Sequence, residues 1–225
     1  MTIGDVISSV RDRVLDKTEP YLWSDAELVY YANEAIEEMC REGRMIQDKT
    51  TPAICTITLN PGQRDYKLDD RIWTVEDFPI LYYGIGNPVM LPKVNVSTLN
   101  DNYSGYVSQT GRPLVHACDF PSGYLSIFPL PDIACSLHLT VYRYPLSELS
   151  NMTLDIVPEI NQRYHKDLVY GILARASAKQ NIDTFNQTAL TMFTQEWLKC
   201  LDKIKKERID AQSFKQFNTM KPGLF

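Results

Sequence analysis

Residues 157–211 constrain the fold most strongly, because they contain two consecutive helical patterns separated by a very short linker. In the first pattern, apolar or aromatic residues recur at every fourth position: Ile160, Tyr164, Leu168, Ile172 and Ala176. In the second, steps of three and four connect Phe185, Ala189, Met192, Phe193, Trp197, Cys200, Leu201 and Ile204. Both patterns fit the helical period of about 3.6 residues. Pro158 suits a first helical turn, and Asp183 suits an N-cap. A connection of about three residues then predicts an antiparallel helical hairpin.

The N-terminal segment contains two further helices that can cover the apolar side of this hairpin. Residues 2–17 predict a short helix capped by Thr2. Residues 24–42 predict a longer one, because Ser24 and Glu27 have the spacing of a capping box. Gly43 follows as a predicted C-terminal cap.

The middle of the chain changes from helical to strand character. Short β-branched and aromatic runs lie between turn signals, and they predict strands at 53–59, with 63–68 as the pairing partner, and at 135–144. In the last run, Leu137, Leu139 and Val141 face one side, as in an antiparallel sheet. Residues 97–109 are polar and predict a loop.

These patterns together predict an α+β fold in which the sequence of one domain is inserted into that of the other. Residues 1–49 and 151–212 are expected to form an antiparallel helical bundle from the N- and C-terminal helices. Residues 50–150 are expected to form an antiparallel β-rich domain inserted between them. Residues 213–225 are interpreted as a C-terminal tail, either frayed or serving as a docking segment that orders on a partner.

Composition and charge exclude several classes of protein. No apolar run approaches the length of about 18 residues that a membrane span needs, so no membrane association is expected. The five cysteines are scattered and odd in number, which favours reduced thiols over disulfides or a structural zinc site. The net charge of −5 argues against nucleic-acid binding as the main task. That charge is uneven, since residues 1–49 carry 6 basic and 11 acidic side chains and residues 151–225 carry 11 and 8.

The sequence contains no recognisable enzyme signature. Residues 84–86 read Gly-Ile-Gly but lack the rest of a dinucleotide-binding fingerprint, and no P-loop or metalloprotease motif is present. His116, Cys118 and Asp119 are candidate metal ligands, since they can place two ligands on one strand face, but this spacing also arises by chance. We interpret His165 as a partly exposed helix residue. We therefore expect no catalytic residue, no metal ligand and no cofactor.

Three groups of side chains are candidates for contacts with partners. The first is an acidic helix face, which consists of Glu34, Glu37, Glu38 and Glu42. The second is a basic face of the last helix, which consists of Lys199, Lys203 and Lys206. The third is the apolar part of the tail, which consists of Phe214, Phe217, Met220, Leu224 and Phe225. A solvated surface is the alternative for the two charged faces. The functional interpretation of the acidic face is docking to a basic partner such as a neighbouring subunit, and that of the lysine face is proximity to DNA phosphates or to an acidic neighbouring subunit.

Several short motifs occur in an order that resembles a known family. Residues 23–28 read W-S-D-A-E-L and run into Y-A-N-E-A at 31–35. Later come G-R-P at 111–113, a Gly-x-Leu-x-Ile-x-Pro-x-Pro segment at 123–131 and Y-R-Y-P at 142–145. Pro158-Glu159 then leads into Tyr164-His165 and G-x-L-A-R-A at 171–176. This order resembles the head–tail adaptors of tailed bacteriophages, in particular those similar to tail tubular protein A.

The resemblance implies a structural virion protein at the neck, made in the host cytoplasm. Such adaptors form a homo-oligomeric ring, usually twelve-fold, beneath the portal protein, and they contact a tail nozzle or tail tube protein. Double-stranded DNA passes through the lumen during ejection without sequence readout. The helical bundle carries the ring, the β insert reaches outward or toward the tail, and the C-terminal segment grips the portal. A DNA-binding accessory protein and a small enzyme without a recognisable motif remain as alternatives.

Overall fold

The computed structural model describes residues 1–76, 78–95, 97, 108–119, 122–179 and 187–219, with only the backbone described at 119 and 211–219. Its contacts divide the chain into two compact units. The helical unit comprises Met1–Ile46 and Pro145–Phe225, and the β unit comprises Gln47–Tyr144. The predicted α+β class with antiparallel sheets is confirmed. Numbered along the chain, the helices are α1 (Ile3–Val14), α2 (Asp25–Gly43), α3 (Pro52–Cys55), α4 (Leu168–Ala178) and α5 (Gln187–Thr219).

Capping boxes fix the starts of α1 and α2, where the sequence predicts the cap by Thr2 and the complete box of Ser24 and Glu27. The Ser24 hydroxyl accepts a hydrogen bond from the Glu27 backbone N–H, and the Glu27 carboxylate accepts one from the Ser24 N–H. Thr2 and Asp5 make the same reciprocal pair at α1. The predicted cap at Gly43 is wrong, because the left-handed C-cap residue is Arg44, with φ of 50°.

The first half of the predicted C-terminal hairpin begins later than residue 158. Residues Gln162–Tyr164 form a 3₁₀ turn, and α4 begins only at Leu168. The reason is that the Ile160 carbonyl faces the ring Nε2 of His165 at 2.9 Å, while the Tyr164 N–H donates to Asn161 instead. The apolar stripe of this segment is buried as predicted. The predicted connection, with Asp183 and Phe185, lies outside the described residues.

The predicted tail is helical for longer than the sequence pattern indicates. Helix α5 continues to Thr219, although residues 213–225 were expected to be irregular. No proline or glycine occurs between 187 and 219, so nothing interrupts the backbone hydrogen bonds before Pro222-Gly223. At 33 residues, α5 is about 50 Å long.

Small residues allow α2, α4 and α5 to approach closely. A Cβ on Gly171 of α4 would lie 2.9 Å from both Ala35 Cβ of α2 and Trp197 Cζ3 of α5. A Cβ on Gly43 would lie 2.3 Å from Ile204 Cγ2. Trp197 and Ile204 are therefore buried, whereas Met192, predicted to be part of the same apolar stripe, is exposed.

Among its described residues, the β unit contains three small antiparallel sheets with the strand orders β1-β10-β4, β2-β9-β5-β6 and β3-β8-β7. Numbered along the chain, the strands are β1 (Gln47–Asp48), β2 (Thr56–Leu59), β3 (Asp65–Lys67), β4 (Ile72–Val75), β5 (Ile80–Tyr82), β6 (Val89–Met90), β7 (Val115–Asp119), β8 (Tyr124–Phe128), β9 (Cys135–His138) and β10 (Val141–Arg143). Leu59, Leu81, Leu125, Leu137 and Val141, from different sheets, share one buried core. The strands therefore enclose a common apolar interior.

Strand pairing departs from the prediction in three places. The predicted strand 53–59 begins with the short helix α3, and only Thr56–Leu59 is extended. Strand β3 pairs with β8 rather than with β2, which pairs with β9. The predicted strand 135–144 is broken into β9 and β10, which belong to different sheets. Its alternation is confirmed, since Leu137, Leu139 and Val141 are all buried.

Candidate assembly surfaces

The acidic face of α2 meets basic residues of its own chain. Arg175 Nη2 lies 2.7 Å from Glu38 Oε2, and Arg175 Nε lies 3.3 Å from Glu34 Oε2. Lys205 Nζ lies 3.0 Å from Glu42 Oε2, and this ammonium lowers the pKa of the Glu42 carboxyl. Three of the four predicted acidic residues thus have ion-pair partners within the helical unit.

Glu38 also links α2 to α5 through an aromatic residue. The Trp197 indole Nε1–H donates to Glu38 Oε2 at 2.9 Å, and the Arg175 guanidinium carbon lies 5.6 Å from the centroid of the Trp197 ring. One carboxylate therefore accepts from groups on both α4 and α5. The uneven charge of the sequence is partly explained inside the chain, because acidic α2 lies beside basic segments of α4 and α5.

Glu37 is the member of the acidic face that points away from these contacts. It is exposed, and the described residues include no ion pair to it. Tyr30, about two helical turns earlier, is also exposed and is hydrogen-bonded to Glu34, which raises the pKa of its phenol. An inter-subunit role for the acidic face stays a prediction, and Glu37 is the residue whose carboxylate is available for it.

The basic face of α5 lies on the side of the helix opposite its buried residues. Lys199, Lys203 and Lys206 are all exposed, whereas Trp197 and Ile204 are buried. Lys199 Nζ lies 2.6 Å from Glu196 Oε1 across one helical turn, in a pair that is largely solvated. The structure therefore brings the three predicted lysines onto one accessible helix face. Which molecule contacts this lysine face stays a prediction.

The apolar residues of the predicted docking tail fall at and beyond the end of the described chain. The backbones of Phe214 and Phe217 belong to α5. Met220, Leu224 and Phe225 lie outside the described residues. The last described contact of α5 with α2 is the Arg208 Nη1–H donating to the Glu42 carbonyl at 2.9 Å. The helix thus continues for about three turns after this contact.

Two polar residues connect distant segments of the helical unit, and the sequence patterns did not predict these roles. His165 is fully buried rather than partly exposed, with its Nδ1 3.1 Å from the Met1 carbonyl and its Nε2 2.9 Å from the Ile160 carbonyl. The Asn33 side-chain amide donates to the Leu149 carbonyl at 3.0 Å and accepts from the Leu149 N–H at 2.9 Å. For Asn33, the only signal in the sequence was its position within a helix, where asparagine is unfavourable without a specific hydrogen-bond partner.

Two of the three candidate metal ligands, His116 and Cys118, lie in or against the interior of the β unit. His116 is fully buried, and its Nδ1 lies 3.1 Å from the Leu91 carbonyl. Cys118 is half-buried, and the side chain of Asp119 is not among those described. Within the described ranges, no group of three His, Cys, Asp or Glu side chains has a geometry that could hold a metal ion. Likewise, none of the helices searched there is long and apolar enough to cross a membrane.

The fold and these surfaces define an α+β protein whose candidate sites are helix faces and a helix end suited to contacts with other macromolecules. A family model described as "SU10 adaptor protein" matches residues 1–219, and the chain belongs to this family of phage head–tail adaptors. The suspected resemblance is thereby confirmed. No curated protein matches the chain. Family membership gives the protein a structural role in the virion neck, in association with portal and tail components.

Proposed function

We propose that the protein forms a ring of about twelve copies beneath the portal and joins the DNA-filled capsid to the tail. The observation that supports this most directly is the family match over residues 1–219, which spans both units. Double-stranded DNA passes through the lumen of the ring without sequence readout. The free chain is made in the host cytoplasm and enters the particle as the neck is completed.

The basic face of α5 serves as one half of the contact between neighbouring subunits. Head-to-tail contacts in a ring are heterologous, so each subunit presents two different and complementary surfaces. Lys199, Lys203 and Lys206 form one such surface, and Glu37 of the next subunit provides opposite charge. The remaining residues of the acidic face contribute less to this contact, because Glu34, Glu38 and Glu42 already have partners in their own chain.

The end of α5 serves as the portal-docking segment. It extends beyond the last described contact with α2, and it carries Phe214 and Phe217. Met220, Leu224 and Phe225 continue the apolar character toward the C-terminus. Aromatic side chains that are exposed in the free chain and buried on the partner are typical anchors of protein interfaces.

Pull-down of the tagged full-length chain from infected cells tests this function. The proposal predicts that the portal protein co-purifies and that electron microscopy shows rings stacked on a larger ring. Retention on DNA that collapses at modest salt, without portal or rings, would instead support a DNA-binding accessory protein that uses the lysine face.

A further inference from the structure

The β5–β6 hairpin exposes an unusual amount of apolar surface. Residues 78–92 contain no charged side chain, although 23% of the whole chain is charged. Within them, Phe78 is 61% exposed, Met90 65%, Tyr82 43% and Ile80 37%, and Ile85 at the hairpin tip is fully exposed. We call these five residues the hairpin surface. Contiguous exposed apolar patches on soluble proteins usually mark interaction sites.

The register shows why three of these side chains, those of Ile80, Tyr82 and Met90, share one side of the sheet. Leu81 of β5 is fully buried and lies opposite Leu137 of β9. Its neighbours Ile80 and Tyr82 therefore point outward, and Met90 lies directly opposite Ile80 on β6. On the neighbouring strand β9, the centroid of the His138 ring lies 4.6 Å from that of the Tyr82 ring, with the ring planes tilted by 53°. The outward side chains are thus held in place by a sheet whose inner side belongs to the core.

The same sheet has a second uncharged edge. Its strand order is β2-β9-β5-β6, so β6 and β2 are its two edges among the described residues. Residues 50–63, which include β2, also lack charged side chains. Pro52, Ala53, Thr58 and Pro61 are exposed there, and we call them the β2 surface.

We propose that the hairpin surface of one copy docks on the β2 surface of a second copy of this chain. Each chain carries a net charge of −5, so two uncharged surfaces let identical copies meet without adding repulsion between like charges at that contact. A partner with a different sequence can carry a positive charge, and an acidic surface would bind such a partner more strongly than an uncharged one. The two surfaces differ, as a head-to-tail contact requires. This contact rests on the proposed ring and adds a β-unit interface to the helical one.

Cysteine cross-linking in the full-length chain tests the pairing. The variant that combines Met90→Cys with Thr58→Cys is oxidised with copper phenanthroline, and the same sample is inspected by electron microscopy. Docking predicts a ladder of dimers, trimers and larger products on a non-reducing gel, since every chain carries both halves of the contact. Wild-type protein controls for the half-buried Cys118 and Cys200. A mixture of the two single variants should give dimers only.

The outcomes separate this contact from the ring itself. Rings without a ladder would overturn the hairpin contact and leave the ring standing. A ladder without rings would support the contact and reject the ring, and the absence of both would reject both. Dimers from Met90→Cys alone, or a product that contains another protein, would show a different occupant and overturn the pairing.

A charge substitution gives an independent measurement. Ile85→Asp places a carboxylate at the exposed hairpin tip, and Leu114→Asp makes the same change at an exposed position elsewhere in the β unit. Sedimentation velocity should show that Ile85→Asp weakens self-association by about tenfold or more, while Leu114→Asp leaves it unchanged. Equal self-association of Ile85→Asp and wild-type protein would overturn the proposal.

Discussion

At the scale of single residues, Gly171 is the position where three helices come together. In most helix interiors, replacing glycine by alanine stabilises the fold by about 0.5–1 kcal/mol. At Gly171 the added Cβ would lie 2.9 Å from Ala35 Cβ and from Trp197 Cζ3, both rigid and buried atoms. Gly171→Ala should therefore lower the free energy of unfolding by about 1–3 kcal/mol, measured by urea denaturation. Gly86→Ala, where the nearest atom lies at 3.6 Å in an exposed loop, is the control and should change stability little. A stabilised Gly171→Ala variant would contradict this packing.

Asp48 makes the stability of the β unit depend on pH. Burial alone would raise the pKa of Asp48, but hydrogen bonds from Thr50, Thr51 and the Arg143 guanidinium hold it well below its usual range. Because the folded-state pKa is the lower one, the stabilisation is complete above the unfolded value of about 4 and is lost as pH falls toward the folded value.

Asp48→Asn should therefore destabilise the protein by about 3 kcal/mol at pH 7, since it leaves Arg143 buried without its carboxylate. Scanning calorimetry should show this difference shrinking as the pH is lowered below 4. Asp70→Asn, whose side chain is 85% exposed, is the matched control. A deficit of constant size at all pH values would refute the assigned role of the carboxylate.

Individual residues were predictable where the cause was local. The capping residues Ser24 and Glu27 act through hydrogen bonds within four residues, so their spacing was sufficient. His165 and Gly43 were misread because their environment comes from distant parts of the chain. The carbonyl of Met1 lies on one side of His165, and Ile204 packs on Gly43. The residues next to them in the sequence therefore do not indicate that these contacts form.

At the scale of elements, α5 has a buried side and a basic outer side with separate roles. Reversing the charge of Lys199, Lys203 and Lys206 together to glutamate should block ring assembly while the monomer stays folded, because all three are exposed. Native mass spectrometry measures the assembly, and circular dichroism measures the fold. The expected loss of assembly is at least about tenfold in affinity, since like charges replace attractive ones across the contact.

A second triple variant controls for net charge. Lys67, Lys93 and Lys166 lie outside α5, and their replacement by glutamate changes the total charge by the same amount. This control should still assemble. Normal assembly of the α5 variant, or equal loss in both variants, would rule out a specific contact at the lysine face.

Helices were easier to predict than strand partners. The period of apolar residues located α2, α4 and α5, since that period arises within each helix. In the β unit, each strand is only two to five residues long, and the partners β2 and β9 are separated in sequence by about three quarters of the unit. Short strands carry too little pattern to choose a partner, so the turn at 60–62 wrongly suggested that β2 pairs with 63–68.

At the scale of the whole molecule, the C-terminal segment should be dispensable for folding and for the ring but required for the portal. Removing residues 213–225 deletes Phe214, Phe217, Met220, Leu224 and Phe225, while every described tertiary contact of α5 lies before that point. Surface plasmon resonance should show that binding to the isolated portal protein is lost or weakened by about a hundredfold or more.

Substitution of Lys215 by alanine in the intact tail is the control, because it removes a charge and keeps the apolar residues. The truncated chain should still form rings in native mass spectrometry. Portal binding that survives the truncation would place the docking surface elsewhere on the molecule.

The order of motifs along the chain predicted the family, which the match over residues 1–219 confirms. The acidic and basic faces were predicted as complementary surfaces of neighbouring subunits. The structure shows that three residues of the acidic face pair instead with other basic residues of the same chain, as in the Glu38–Arg175 pair. Charge counts along a sequence do not distinguish ion pairs within one chain from ion pairs between neighbouring subunits, because either arrangement places opposite charges side by side.

Cryo-electron microscopy of the neck of the mature phage particle tests the central claim most directly. The account predicts a closed ring of identical copies of this chain between the portal and the tail, with the end of α5 against the portal and DNA in the lumen. A neck in which this chain is absent, or present as a single copy away from the DNA axis, would contradict it.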